Sequence, residues 1–445
     1  MTETLWYLGG ILFIALGIGF SIGLHELGHL LPAKKFGVKV PTYAIGFGPT
    51  LFKFKRGETQ YAVKLIPLGG FISMIGMYPP AKKVAGAGKT SADATKKVGF
   101  FADMIAQART AHSEHETPAD ANRKFYQLPV YKRMVIMFGG PFMNLVLGAL
   151  LLILVLGGIG IQQRNNVIAQ VSPCIATTVI DVTDCDPAQS PSPALAAGLQ
   201  VADEIIAING QTGADMALLI KELPAEQVAL IEVLRGGQTV ELQISPTTAM
   251  RPIIDSNGQV LVDSEGNPQL EARTVLGIVF GNERVRQDAG YIYDQAVFSL
   301  GQVGSLILNL PQQMVQVAEA TFGGAERNPN GAVSVVGIGQ IAGEVAATQE
   351  ADFVDKLSTG LLILASLNFA LFAFNMLPLL PLDGGHLAGG VYEILKRGLF
   401  RAMGKPNPGP ADTALLMPAT WVVVILLMAM SALLILADLI NPITF

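Results

Sequence analysis

The residues with the most definite chemistry are His25, Glu26 and His29, in the run Leu24-His25-Glu26-Leu27-Gly28-His29. Histidines four apart lie on one face of an α-helix, one turn from each other, so both imidazoles can reach a single Zn²⁺. Glu26, next to the first, is placed to take a proton from water held by that ion. With 5 His in 445 residues, a chance His-Glu-x-x-His is expected about 0.002 times. The alternative is a pair of satisfied core histidines. Against it, the motif lies in an apolar run from about residue 5 to residue 34, where a lone charged side chain costs about 2.5–3.5 kcal/mol. A catalytic zinc also needs a third protein ligand and an open position. Asp383, in Pro381-Leu382-Asp383-Gly384-Gly385-His386, is the leading candidate, and His386, further along the polar side, is the competitor.

The elements that must carry these residues belong in a bilayer. Hydrophobic residues make up 51% of the chain and charged residues 15%, against about a quarter in soluble domains. Four apolar stretches are long enough to span: 1–33, 133–161, 357–386 and 419–445. The third would bring Asp383 to the depth of the two histidines. Residues 33–133 hold 17 Lys/Arg against 6 Asp/Glu, whereas 161–355 hold 8 against 23. This asymmetry assigns the first region to the cytoplasm and the second to the outside, with both termini outside and the histidine motif near the cytoplasmic face. No nucleic-acid partner is expected. The first apolar run has no preceding Lys or Arg and no small-residue cleavage site, so it is expected to remain as an anchor.

Between these spans the pattern changes. Residues 34–78 read as a membrane-associated, re-entrant β-hairpin turning at Arg56-Gly57 and closed by Ile66-Pro67-Leu68-Gly69-Gly70-Phe71. A plain cytoplasmic hairpin is the alternative. Residues 79–132 form a polar cytoplasmic insertion, in which His112 and His115 are more simply a solvated linker than a metal site. The second span opens with Gly139-Gly140-Pro141-Phe142-Met143-Asn144, small residues for close helix approach and an Asn expected to face the bundle interior. Residues 162–285 carry short strand candidates, with a hairpin inserted at 251–273 and a last strand at 275–279. Cys174 and Cys185 lie there and are expected to pair. Residues 286–356 are an amphipathic linker, and 387–418 a cytoplasmic loop.

Two sets of residues resemble known families. Pro193 to Leu199 and Ala202-Asp203-Glu204-Ile205-Ile206-Ala207-Ile208-Asn209-Gly210 resemble a PDZ domain, with Val201-Ala202 where many bacterial PDZ domains have a Gly before the Asp. His25-Glu26-x-x-His29 in a first span and Asn375-x-x-Pro378-x-x-Pro381-Leu382-Asp383-Gly384-Gly385 in a third resemble the site-2 protease family of intramembrane zinc metalloproteases. The likeness extends to the hairpin and to the Gly-Pro-x-x-Asn of the second span. The chain is similar to the bacterial RseP-type branch, in particular its single-PDZ actinobacterial members, although Leu380 fills a position where some relatives have proline.

The resemblance implies one Zn²⁺ on His25, His29 and Asp383, Glu26 as general base and Asn375 as an orienting residue. Gly69, Gly70, Phe71 and Asn144 would meet the substrate. The fold implied is a polytopic α-helical membrane protein of about four transmembrane helices, with a membrane-associated β-hairpin and an extracytoplasmic β-rich PDZ domain. It would sit in the bacterial cell membrane. Its substrates would be single-span proteins trimmed outside by a site-1 protease, such as anti-sigma factors, and remnant signal peptides. The PDZ domain would filter by size or bind a tail. Two other classes stay open from sequence: a PDZ-bearing scaffold with a structural zinc, which would have four protein ligands and no use for Glu26, and a metal transporter.

Overall fold

The computed structural model describes residues 2–80, 105, 109, 117–175, 191–213, 215–253, 260–261, 267–324, 327–328, 331–349 and 351–443. His112, His115 and Cys185 lie outside the described residues. The chain divides into two compact units, Met1–Ile159 with Gln287–Phe445, and Gly160–Arg286.

The first unit is helical. Its helices are α1 (Thr2–Lys35), α2 (Val130–Leu152, continued by a π-helical turn to Ile159), α3 (Ala289–Leu308), α4 (Leu310–Phe322), α5 (Val335–Ala347), α6 (Phe353–Asn375), α7 (Asp383–Ala402) and α8 (Met417–Ile440). Among the described residues, four helical stretches are long and apolar enough to cross a membrane: Glu3–Lys35, Val130–Ile159, Phe353–Asn375 and Thr413–Ile440. α1 packs on α2 and α5, and α2 on α6 and α7. The crossing of α1 and α2 is set by glycine. A Cβ on Gly28 would stand 2.2 Å from the Gly139 carbonyl oxygen, and one on Gly139 would stand 2.1 Å from that of Gly28. Only backbone-to-backbone packing fits there, the close approach that small residues permit in lipid. α8 is held apart from this crossing, against α4 and α5. There the buried Arg327–Asp438 pair, at 2.6 Å, and the Ser334 amide, which donates to Asp438 Oδ2 at 2.7 Å, satisfy a carboxylate that would otherwise be costly.

One segment differs from the sequence reading. The third span does not run on to residue 386. It ends at Asn375, the chain turns through Pro378 and Pro381, and Asp383 opens the separate helix α7. Proline lacks the amide a continuing helix needs, and Gly384 sits where a Cβ would be 2.2 Å from the Leu377 carbonyl oxygen, so the turn is tight. Half of the loop expected at 387–418 is consequently helix, through Ala402. The 286–356 linker contains three helices, the first two separated at Asn309, just before Pro311.

β1 (Thr42–Arg56) and β2 (Thr59–Ser73) form the hairpin, turning where Gly57 has φ +63°. Residues 66–71 prolong β2 where closure was expected. It doubles back, so residues 42–45 pair on one side with 60–63 and on the other with 70–73. Tyr43 Oη donates to the Gly23 carbonyl at 2.7 Å, tying this sheet to α1. Residues 117–128 close the core around Leu30, Val38 and Met74: the Phe125 amide donates to Ile75 O at 3.0 Å, and Lys39 Nζ meets Asp120 Oδ2 at 2.6 Å.

The second unit is β-rich. β3 (Ile161–Val171), β4 (Glu204–Ile208), β6 (Ala229–Arg235), β7 (Gln238–Ile244) and β10 (Ile278–Val285) form one sheet in the order β10-β3-β4-β6-β7, and β5 (Gln211–Thr212) pairs with β4. β8 (Thr247–Pro252) and β9 (Leu270–Val275) make a separate hairpin. The strand expected at 275–279 begins at Ile278 and forms the sheet edge. A short helix, Met216–Glu222, covers a core of Ile168, Ile205, Ile231, Val233, Ile244 and Leu276. Ala202, at the position often held by glycine, has φ +70°. Cys174 is buried and is not a free thiol.

Candidate metal centre

Three elements converge on one point. α1 carries His25 and His29 on one face, and the first residue of α7 is Asp383. His25 Nε2 lies 3.2 Å and His29 Nε2 3.3 Å from Asp383 Oδ2, and the two imidazole nitrogens are 3.2 Å apart. Donors bound tetrahedrally at about 2.0–2.1 Å from one zinc stand about 3.3 Å from one another, so the three atoms fit such an ion. The hydrogen bonding agrees. His29 Nδ1 donates to the Ile136 carbonyl of α2 at 2.7 Å, which leaves the Nε2 lone pair directed at the cluster. His25 Nδ1 is buried without a hydrogen-bond partner among the described residues.

α2 supplies the wall. A Cβ on Gly140 would stand 2.2 Å from His29 Nε2 and 2.8 Å from His25 Nε2, so no other residue type fits against the donors. Pro141, next in the helix, lacks an amide and frees the carbonyl of Met137 one turn back. Asn144, one turn further from Gly140, is fully buried, and neither amide atom has a partner among the described residues. Asn368 of α6 donates to Ser21 Oγ of α1 at 2.9 Å, one turn before His25. Glu26 is 8% exposed, and a Cβ on Gly70 would lie 3.0 Å from its Cγ, so the doubled-back edge of β2 runs beside it.

The remaining candidates are placed as follows. Gly69, with φ +91°, has no room for a Cβ beside the Phe47 ring. Phe71 is partly exposed, with Lys64 Nζ 5.0 Å from its ring centroid. Asn375 ends α6 with its amide donating to Leu371 O at 2.9 Å, back onto its own helix. His386 is outside the three-residue cluster, its ring centroid 6.5 Å from that of Tyr78. The sequence did not point to Ile136, whose part is played by a backbone carbonyl, nor to Glu393. That carboxylate is 1% exposed and pairs with Arg133 at 2.7 Å, accepts from the Ala411 amide at 2.7 Å and meets Arg397 at 2.5 Å. It thereby anchors α7, and with it Asp383, to α2.

The comparisons agree with this geometry. Residues 13–406 match the model of peptidase family M50. The chain is 30% identical to the zinc metalloprotease Rip1 of Mycobacterium tuberculosis (strain H37Rv), over 98% of both chains. It is 31% identical to Rip1 of Mycolicibacterium smegmatis, again over 98% of both. To the regulator of sigma-W protease RasP of Bacillus subtilis (strain 168) it is 28% identical, over 51% of this chain and 61% of that protein. A scaffold or a transporter does not account for a likeness to proteases along the whole chain, and the chain belongs to peptidase family M50, the site-2 proteases, and is a zinc metalloprotease.

Proposed function

We propose that this enzyme cuts single-span membrane proteins within the bilayer, after a first cut outside, with His25, His29 and Asp383 holding the zinc. The observation that carries this reading is the meeting of three ligand atoms, 3.2–3.3 Å apart, contributed by an apolar helix long enough to span and by the turn that follows another. Zinc, when bound there, supplies Lewis-acid chemistry that acidifies a water and polarises the scissile carbonyl. Glu26 takes the water's proton and returns it to the leaving amine. Asn375, at the end of α6, and Asn144 orient the substrate backbone.

A helical substrate hides its carbonyls in its own hydrogen bonds and must be held extended. Residues 70–73, which pair with 42–45 on one side and pass Glu26 at Gly70, are suited to this by strand addition. The exposed apolar side chains Phe47, Leu51, Phe52, Leu65 and Ile66 favour insertion of the hairpin into lipid. Hydrolysis on the cytoplasmic half of the membrane, with the second unit outside as a PDZ domain, follows from the charge asymmetry of the flanking loops. Anti-sigma factors and remnant signal peptides are the substrate classes, in keeping with the sigma-W protease name of the Bacillus subtilis relative.

The second unit contains a groove of about 630 Å³ between the start of β10 and the helix Met216–Glu222. β10 is the end strand of its sheet, so one row of its backbone groups is unpaired within that sheet. We assign this groove to an extended tail of the substrate. The test of the zinc set is direct. Wild type is expected to carry one zinc per chain and to cleave a single-span peptide in proteoliposomes. His25→Ala, His29→Ala and Asp383→Ala should each lose both properties, and a variant keeping both would remove that residue from the ligand set.

A further inference from the structure

The groove of the second unit has a charge opposite to that of the unit around it. Residues 160–286 contain 7 Lys/Arg and 15 Asp/Glu. Three of those seven cations, Arg164, Lys221 and Arg251, line the groove, and no Asp or Glu does so among the described residues. The rest of the lining is mostly apolar, including Ile175, Ile220, Ile278 and Phe280, with the uncharged polar side chains of Ser172, Thr274 and Asn282. The cations are spread around the cavity. Arg164 is opposite Asn282 in the β3–β10 register, Lys221 is in the last turn of the helix Met216–Glu222, and Arg251 is on β8.

We propose that this groove selects an acidic extended peptide, which adds to the outer edge of β10 over residues 278–282, where no further strand pairs among the described residues, and places carboxylates against Arg164, Lys221 and Arg251. The inference rests on the reading of the groove as a peptide site and adds what that reading leaves out, the charge of the ligand. Residues 278–282 offer about five positions, about 17 Å of strand. A chain added there keeps alternate side chains on the apolar wall. Gly277 precedes the strand with φ +84°, and its carbonyl accepts from the Ser172 amide at 2.8 Å. That fixed turn closes one end of the groove, and Arg164 lies toward the other, so the acidic residues belong upstream of the peptide's terminal residue. Partly exposed ion pairs contribute modestly each, and three together give a preference on the order of tenfold.

The experiment uses the full-length protein in detergent and fluorescein-labelled hexapeptides with free carboxyl termini, measured by anisotropy. One peptide has Asp and Glu upstream of an apolar last residue, and the other has Asn and Gln at the same positions. The acidic peptide is expected to bind about tenfold tighter, and the difference should shrink to under threefold in 0.5 M salt and in the double variant Arg164→Gln, Lys221→Gln. Retention of the neutral peptide's affinity by that variant shows that the groove is still folded. Equal binding of the two peptides by wild type overturns the charge selection and leaves the groove as a peptide site. A preference that survives in the double variant overturns the assignment to these residues, and binding of neither peptide overturns the peptide site itself and the selection with it.

Discussion

At the scale of single residues, the site depends on what is missing as much as on what is present. Gly140 leaves a hydrogen atom where any side chain would strike His29 Nε2. Gly140→Ala is therefore expected to lower zinc occupancy severalfold or more, read by metal analysis of the purified protein, whereas a site indifferent to α2 would keep its full complement. Ala202 is the opposite case. It occupies a left-handed conformation, φ +70°, at a cost of roughly 1–2 kcal/mol relative to glycine. Ala202→Gly should raise the stability of the second unit by about 1 kcal/mol, visible as slower hydrogen exchange across β4 and β6. Asp203, beside it, gives that unit an acid limit. Burial works to raise its pKa, but hydrogen bonds from Arg235, at 2.6 and 2.7 Å, and from the Gln200 amide outweigh burial and hold the carboxyl below the usual range. Since the unfolded chain binds the proton more readily, this contribution is complete above the ordinary Asp pKa of about 3.9 and is lost as pH falls below it. Exchange protection in β4 and β6 should decline more steeply below about pH 4 in wild type than in Asp203→Asn.

At the scale of elements, the metal centre requires that α1, α2 and α7 keep their relative positions. The Glu393 network does this for α7 by joining it to Arg133 of α2 and to the Ala411 amide. Removing the carboxylate leaves a largely buried guanidinium and a backbone amide uncompensated, at a cost of about 3–5 kcal/mol. Glu393→Ala is expected to lower the thermal midpoint in detergent and to weaken zinc retention, although the residue is nearly three helical turns from Asp383. The doubled-back edge of β2 is a separate device. Gly70→Val would press a side chain on Glu26 Cγ and the Ala44 carbonyl, and it should reduce cleavage while zinc stays bound. Loss of both together would mean that the hairpin supports the ligands themselves.

These elements were unequally legible in the sequence. His25, His29 and Asp383 could be found because ionisable residues are rare in apolar segments, and each is explained by the others. The Gly139-Gly140 pair was visible as a close-approach signal, but which helix approached, and that Gly28 answers it, depended on tertiary pairing. The exit from α6 is legible in Pro378 and Pro381, which break the helix, but the start of α7 at Asp383 is not, because hydrophobicity continues through Leu377, Leu379, Leu380 and Leu382 and Gly384 and Gly385 read as a turn. The second pass of β2 across residues 42–45 has no periodic signature, since its glycines read as a turn. Glu393 was overlooked because a lone acid among Lys396, Arg397 and Arg401 looks like part of a solvated charged face, and its burial comes from Arg133, 260 residues away in sequence.

At the scale of the whole molecule, the chain joins a zinc site in helices fit to cross a membrane to a β-rich unit with a basic groove. The first supplies the chemistry of family M50, and the second is the one to which we assign selection of the substrate's tail. The central claim is that the zinc is held by His25, His29 and Asp383 and that Glu26 serves as the base without being a ligand. It is tested most directly by Glu26→Gln, assayed in proteoliposomes for zinc content and for cleavage of a single-span peptide. The expected result is one zinc per chain, as in wild type, with cleavage slowed by at least 10²–10⁴-fold. Cleavage at the wild-type rate, or loss of zinc together with cleavage, would contradict it.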